Sequence, residues 1–251
     1  MEENLQKINN NEAVIVEIRA GTGGEEAALF AKDLLRMYTN YAQYKGWKQK
    51  ILDYNPTSLG GIKQVTLELS GNNVFNHLKY EGGVHRVQRI PKTEKGGRIH
   101  TSTVTVAVLQ KPKKNEININ PNDLKITSYK SSGPGGQYVN KTESAIRILH
   151  LPTGLVVTSQ SERNQLQNRE NALSILAAKI LERKEQEDLS KLTESRREQI
   201  GWAERAEKLR TYNFPQDRIT DHRIKKSWHN LEKILDGKME PVIKDLIKKM
   251  S

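Results

Sequence analysis

The sequence predicts an α+β chain of two unequal domains, and three patterns carry that expectation. Apolar residues alternate in short runs near both ends of a first region and again in a second one, as strands do. Helical periodicity follows the first alternating run and returns around Leu173 to Ile180. Between the regions, "QKPKKNEININPND" (residues 110–123) has no apolar face and reads as a linker.

Residues 1–12 are polar and are expected to form a flexible N-terminus. Residues 13–19 alternate with Val14, Val16 and Ile18 on one face, the pattern of a half-buried strand. Gly21-Thr22-Gly23-Gly24 breaks that strand. Glu25 and Glu26 then open a helix whose apolar stripe is Phe30, Leu34, Met37 and Tyr41. Acids in its first turn suit the positive end of the helix dipole, and Gly46 ends it. A strand with Val65, Leu67 and Leu69 inward follows, then a short helix over residues 74–79.

Residues 82–109 read as strand, loop, strand. The second strand puts Val104, Val106 and Val108 on one face and Ile99, Thr101, Thr103 and Thr105 on the other. Taken alone, that row of hydroxyls expresses β-propensity on an edge strand. The second region has a strand over 126–129, a glycine-rich loop, and the hairpin "AIRILHLPTGLVV" turning at Pro152-Thr153-Gly154. A long helix then carries Leu173, Leu176, Ala177 and Ile180 on one face and continues, charged, to about residue 199. Residues 210–223 are expected to be irregular, and a final amphipathic helix presents Trp228, Leu231, Ile234 and Leu235.

The 251 residues carry 41 Lys and Arg against 30 Asp and Glu, a formal charge of +11. A basic surface favours a polyanion such as nucleic acid, although a solvated lysine coat gives the same count. Cysteine is absent, which excludes disulfides, thiolate nucleophiles and Cys-bound zinc and is compatible with a reducing compartment. No apolar run reaches membrane-spanning length, and Met1-Glu2-Glu3-Asn4 does not begin a signal peptide; a soluble cytoplasmic protein is expected.

Most catalytic chemistries find no footing. Histidines 77, 85, 100, 150, 222 and 229 show neither H-x-x-x-H nor H-E-x-x-H spacing, so no metal site is expected. A G-x-S-x-G nucleophile elbow is absent. "GGQYVNKT" ends like a phosphate loop, but Asn140 stands before Lys141 where that loop requires glycine. What remains is Gln137, behind Gly133-Pro134-Gly135-Gly136. Glutamine is neither base nor nucleophile at neutral pH. It can orient water, and its backbone N–H can face developing negative charge. The glycines permit a close approach of backbone to another molecule.

Four stretches in order, "EIRAGTGGEEAALFAKDLLRMY", "GGVHRVQRIPKTEKGGRIHTSTVTVAV", "SGPGGQYVNKTESAIRILHLPTG" and "RTYNFPQDRITDHRI", resemble the class I peptide chain release factors of bacterial type. The resemblance runs from about residue 12 to the C-terminus. It implies a codon-recognition α/β domain over residues 13–113 with a mixed or antiparallel sheet. It also implies a smaller α+β GGQ domain over 114–198, with a β-hairpin sheet and the long helix. A switch segment and a C-terminal helical part over 199–251 would pack back on the first domain. Full-length relatives carry a further N-terminal helical domain of roughly a hundred residues, which is not expected in this chain.

The same resemblance implies site residues. Gly135, Gly136 and Gln137 would enter the ribosomal peptidyl transferase centre, where the Gln137 N–H stabilises the oxyanion or departing ribose oxygen and its side chain orients water. Gln137 is the expected site of N5-methylation by a glutamine methyltransferase. Pro91-Lys92-Thr93 matches the P-x-T tripeptide that goes with UAA and UAG, with Thr93 on the first two bases. Gly23 and Glu26 would present backbone to the first uracil. His100 would stack on the displaced third base, and Gln88 and Thr101 would read it; a rotating glutamine amide suits either purine. Lys130, Lys141 and Arg147 would hold ribosomal RNA phosphates or be plain surface cations. Trp202, in a switch segment that departs from the family pattern, would stack on decoding-centre RNA or belong to the core.

The implied activity is translation termination by a monomeric factor without cofactor, acting with the ribosome's decoding and peptidyl transferase centres, a stop codon and P-site peptidyl-tRNA. Such a factor promotes hydrolysis inside the ribosome and is not itself an enzyme. A stop-codon-independent ribosome rescue factor is the alternative, and a non-catalytic RNA-binding protein a more distant one.

Overall fold

The computed structural model describes residues 12–91, 94, 96–111, 119–130, 143–201 and 207–250. In chain order the first elements are β1 (Glu12–Ala20), α1 (Glu25–Tyr44), β2 (Lys48–Pro56), β3 (Ile62–Gly71), α2 (Val74–Leu78), β4 (Gly83–Arg89) and β5 (His100–Gln110). A 3-10 turn at Pro121–Asp123 leads to β6 (Leu124–Tyr129), β7 (Ala145–His150), β8 (Val156–Ser159) and α3 (Gln165–Ile200). The chain closes with β9 (Lys208–Asn213), β10 (Arg218–Asp221), β11 (Lys226–His229), α4 (Leu231–Leu235) and α5 (Glu240–Met250). These form two compact units, Met1–Pro112 with Leu192–Ser251, and Lys113–Lys191.

The larger unit is built on an eight-stranded sheet in the order β11-β10-β9-β4-β5-β1-β3-β2. All neighbours are antiparallel except β4 and β9, which run parallel and make the sheet mixed. The alternation in β1 and β3 turns Val14, Val16, Ile18, Val65, Leu67 and Leu69 into one buried face. Helix α1 covers that face with Phe30, Leu34, Met37 and Tyr41. Each such side chain, fully buried, contributes about 1.5–3 kcal/mol. Gly46, at φ 69°, takes the left-handed turn that ends α1. Tyr212 of β9 meets Phe30 edge-on at 5.2 Å between ring centres, so the C-terminal strands share this core.

Three expectations are corrected. Residues 210–223 are not irregular: they lie mostly in β9 and β10, which continue the sheet beyond β4. Trp228 is in β11 and not on the final helix; α4 carries Leu231, Ile234 and Leu235, and a separate α5 buries Val242, Ile243 and Leu246. The hydroxyl row is not on an edge strand, because β5 lies between β4 and β1, and Thr103 and Thr105 are buried. Ile99 precedes that strand and is exposed. Sequence reading also missed β2, an edge strand exposed along its whole length.

The smaller unit is a three-stranded antiparallel sheet, β6-β7-β8, packed on the first part of α3. Ile146, Ile148 and Val157 face Ala172 and Leu176 in its core. The hairpin turns where the sequence places it, with Gly154 at φ 68°.

Candidate functional site

At one end of the large sheet, four segments converge on the start of β5. The turn before α1 is tied to β5 by backbone bonds in both directions, Gly21 N–H to the Thr103 carbonyl at 2.9 Å and Thr103 N–H to the Thr22 carbonyl at 2.8 Å. The Thr103 hydroxyl adds a third tie by accepting from the Thr22 N–H at 2.9 Å. Gly23 crosses Ser102 so closely that a Cβ there would lie 2.2 Å from the Ser102 hydroxyl oxygen, and its φ is +129°. Only glycine serves at this contact. Part of the hydroxyl row therefore positions the turn before α1.

Helix α1 begins without any side-chain cap. Such a helix start leaves backbone N–H groups without a partner from within the helix. Glu26 is buried and paired to Arg89 at 2.5 Å; Arg89 also donates to Asp33 at 2.7 Å and lies 5.0 Å over the Phe214 ring. The second Glu26 oxygen, Oε2, is buried and has no hydrogen-bond partner among the described residues.

Register does the rest. Gln88 stands opposite Thr101, and Arg89 opposite His100, at the end of the β4–β5 pair. Gln88 Oε1 accepts a long bond from Asn213 at 3.4 Å, which leaves the Gln88 NH2 to donate elsewhere. Pro91 is buried just past β4, and Glu94 turns back on it through N–H to the Pro91 carbonyl at 3.0 Å. Glu94 holds His100 at 2.7 Å and receives the Gly96 N–H at 2.7 Å. His100, 46% exposed, keeps a ring surface free for stacking. Gly23, Glu26, Gln88, Pro91, His100 and Thr101 thus belong to one end of one unit. Lys92 and Thr93 lie outside the described residues.

Beneath this surface is a buried polar network that sequence reading missed. Arg210 donates twice to Glu81 and once to Asp221, and Tyr38 donates to Glu81 at 3.1 Å. His85 bridges the Tyr212 hydroxyl at 3.2 Å and the Glu81 carbonyl at 2.9 Å. Burial, reinforced by the nearby Arg210 charge, lowers the His85 pKa to about 4, so the ring is neutral. Although burial opposes it, Arg210 holds the Glu81 carboxyl below its usual range.

In the smaller unit, Gly135, Gly136, Gln137 and Lys141 lie outside the described residues, as does Trp202 in the other unit. Lys130 follows β6, and Arg147 is exposed on β7. The two ends of the glycine-rich segment leave the sheet at Tyr129 and Ala145, which are register partners. Asn168 of α3, fully buried, secures the second end. Its amide donates to the Ser144 and Glu162 carbonyls, both at 2.9 Å, and accepts from the Ser159 hydroxyl and the Glu162 N–H, both at 3.1 Å. Gln165 adds a bond to the Glu143 carbonyl at 3.2 Å. A lone asparagine in a helical stripe gave no sequence signal for this role.

Two family models match the chain in succession. Residues 2–106 match the PCRF domain model, and residues 113–223 match the RF-1 domain model. The chain is 56% identical over 239 residues to Peptide chain release factor 1 of Thermoanaerobacter pseudethanolicus, covering 95% of this chain and 67% of that protein. It is 55% identical over 237 residues to the Thermotoga maritima protein of the same name, covering 94% and 69%. Among solved structures, RF2 of Thermus thermophilus matches with a TM-score of 0.57 and 36% identity, over 95% of this chain and 68% of that one. The chain thus spans about two thirds of the length of these relatives.

Proposed function

The chain belongs to the class I peptide chain release factors, and from that membership we propose that it reads UAA and UAG and triggers peptidyl-tRNA hydrolysis through Gly135-Gly136-Gln137. The observation that carries the codon-reading half is the register that sets Gln88 against Thr101 and Arg89 against His100, with Pro91 just beyond. This puts an amide, a hydroxyl and an imidazole at one rim, beside the open turn of α1. Thr93 supplies a hydroxyl that donates and accepts at the edges of the first two bases. The turn at Gly23 and the uncapped helix start at Glu26 present backbone to the first base from the other side.

His100, steadied by Glu94, stacks on the third base, and Gln88 with Thr101 reads it. With Oε1 turned to Asn213, the Gln88 NH2 donates to N7, an acceptor that adenine and guanine share. Either purine is then accepted at that position.

Hydrolysis follows from placement alone. The paired residues Tyr129 and Ala145 and the Asn168 clamp give the segment between them a fixed base. From that base the Gln137 N–H faces the oxygen on which negative charge develops, and its side chain orients the attacking water. Methylation of the Gln137 amide nitrogen by a glutamine methyltransferase would narrow the space left for nucleophiles larger than water.

A release assay on ribosomes displaying UAA, UAG, UGA or a sense codon tests the reading. Release on the first two alone is expected. Equal release on all four codons would replace it with stop-codon-independent rescue, and tight binding without release would leave only RNA binding.

A further inference from the structure

The face of the sheet that carries Gln88 continues two residues back to Arg86, one strand-repeat away on the same side. Arg86 stands opposite Thr103 on β5 and beside Thr211 on the parallel strand β9. Its Nε donates to the Thr211 hydroxyl at 3.2 Å, and that hydroxyl meets His222 Nε2 at 2.7 Å. An unprotonated His222 Nε2 can accept a hydrogen bond from the Thr211 hydroxyl, so the three groups form one directed chain. The chain fixes the plane of the guanidinium by its Nε.

Two features separate this arginine from an ordinary surface cation. Among the described residues no carboxylate pairs with Arg86, and its terminal nitrogens donate to nothing. Neighbouring arginines are instead paired with carboxylates: Arg210 with Glu81 and Asp221, Arg223 with Asp221, Arg89 with Glu26 and Asp33. Lys208, at the start of β9, adds a second positive charge; it and Arg86 both act to lower the His222 pKa, after burial. Of the acids adjoining His222 and Lys208 in the chain, Asp221 is already shared by two arginines, and Glu207 precedes Lys208; nearer Arg86 in the chain, Glu81 is held by Arg210 and Glu94 by His100.

A guanidinium anchored at Nε with both terminal nitrogens free is a fork suited to two oxygens of a phosphate. We propose that Arg86, aligned by Thr211 and His222 and joined by Lys208, is a binding site for an RNA backbone phosphodiester beside the codon-reading rim. This rests on the termination reading for the choice of RNA as ligand. The phosphate comes from the message or from ribosomal RNA.

The test uses the full chain on ribosomes with UAA in the A site and peptidyl-tRNA in the P site. Arg86→Gln is expected to raise the half-saturating concentration roughly ten- to hundredfold, more than it lowers the maximal release rate. It should also flatten the dependence of log affinity on log salt by about 0.7 to 0.9 per lost phosphate contact. Arg86→Lys, which keeps charge without the fork, should fall between. Should Arg86→Gln melt early, Lys208→Gln at the surface carries the same measurement. Unchanged affinity and salt slope in the folded variants would overturn the site. Methylphosphonate linkages placed next to the stop codon separate the sources: unaltered protein weakened by one of them, with Arg86→Gln insensitive to it, assigns the phosphate to the message. Insensitivity of both, with Arg86→Gln still weak, assigns it to ribosomal RNA. If the unaltered protein binds but releases no peptide on UAA, the termination reading fails while the salt slope still decides the site.

Discussion

Arg210 and Glu81 face each other through two contacts of 2.8 Å, with neither side chain more than 1% exposed. They come from β9 and from the residue pair before β4, so the ion pair staples the C-terminal strands to the middle of the sheet. Removing one partner leaves the other charged and desolvated. Glu81→Gln or Arg210→Met should therefore cost about 3–5 kcal/mol in urea unfolding. The double variant Glu81→Gln/Arg210→Met should cost less than the sum of the two. Strict additivity would show that the pair is not coupled.

The same network makes stability depend on pH. His85 titrates at about 4 in the folded protein, and at about 6.5 in an unfolded chain. Between those values the unfolded state binds more protons, so acid favours unfolding. The contribution is complete above about pH 6.5 and is withdrawn as pH falls towards about 4, amounting to about 3 kcal/mol at most. His85→Gln, though less stable at neutral pH, should show a flatter loss across this window in urea titrations at successive pH values. Parallel curves would count against a neutral His85.

Gly23 and Gly24 should respond differently to alanine. At Gly23 the new Cβ meets Ser102 at 2.2 Å from its oxygen and 3.0 Å from its Cα, so the turn before α1 must move. At Gly24, φ +58°, nothing lies within 4 Å and only backbone strain of about 1–3 kcal/mol is added. Gly23→Ala is expected to lose more stability by thermal unfolding, and to weaken binding to stop-codon ribosomes as the uncapped turn shifts. Equal effects at both positions would argue that the Ser102 contact is unimportant.

On the proposed mechanism, Gln137→Ala keeps ribosome binding but slows release, because the backbone donor survives. Gly136→Ala restricts the backbone that aims this donor and should lower release by roughly two to three orders of magnitude. Single-turnover release beside a binding measurement separates the two effects. Full release by Gly136→Ala would remove the backbone from the mechanism.

How far the sequence showed all this depends on which side of each element is buried. β1, α1, β3 and β5 were legible because one apolar face alternates with a polar one. β2 was not, since it is exposed on both faces and offers no contrast. β9 failed for the opposite reason: Leu209, Arg210, Thr211 and Tyr212 are all buried, and two of the four count as polar in any hydropathy pattern. The charge that hides Arg210 from such a reading is neutralised by Glu81, 129 positions away, a distance no local pattern spans. Gln88, His100 and Thr101 became readable as a group only through whole motifs, because their juxtaposition is made by strand register. Asn168 and the Arg86–Thr211–His222 chain left no such trace.

The Asn168 clamp bears on aim. A tool held at one end wanders with every joint between handle and tip; one whose shank is gripped on both sides inherits the steadiness of its vice. Tyr129 and Ala145 are the jaws, and Asn168 is the screw that sets Ser144 against α3. Where the segment between them begins and ends is then a property of the small sheet.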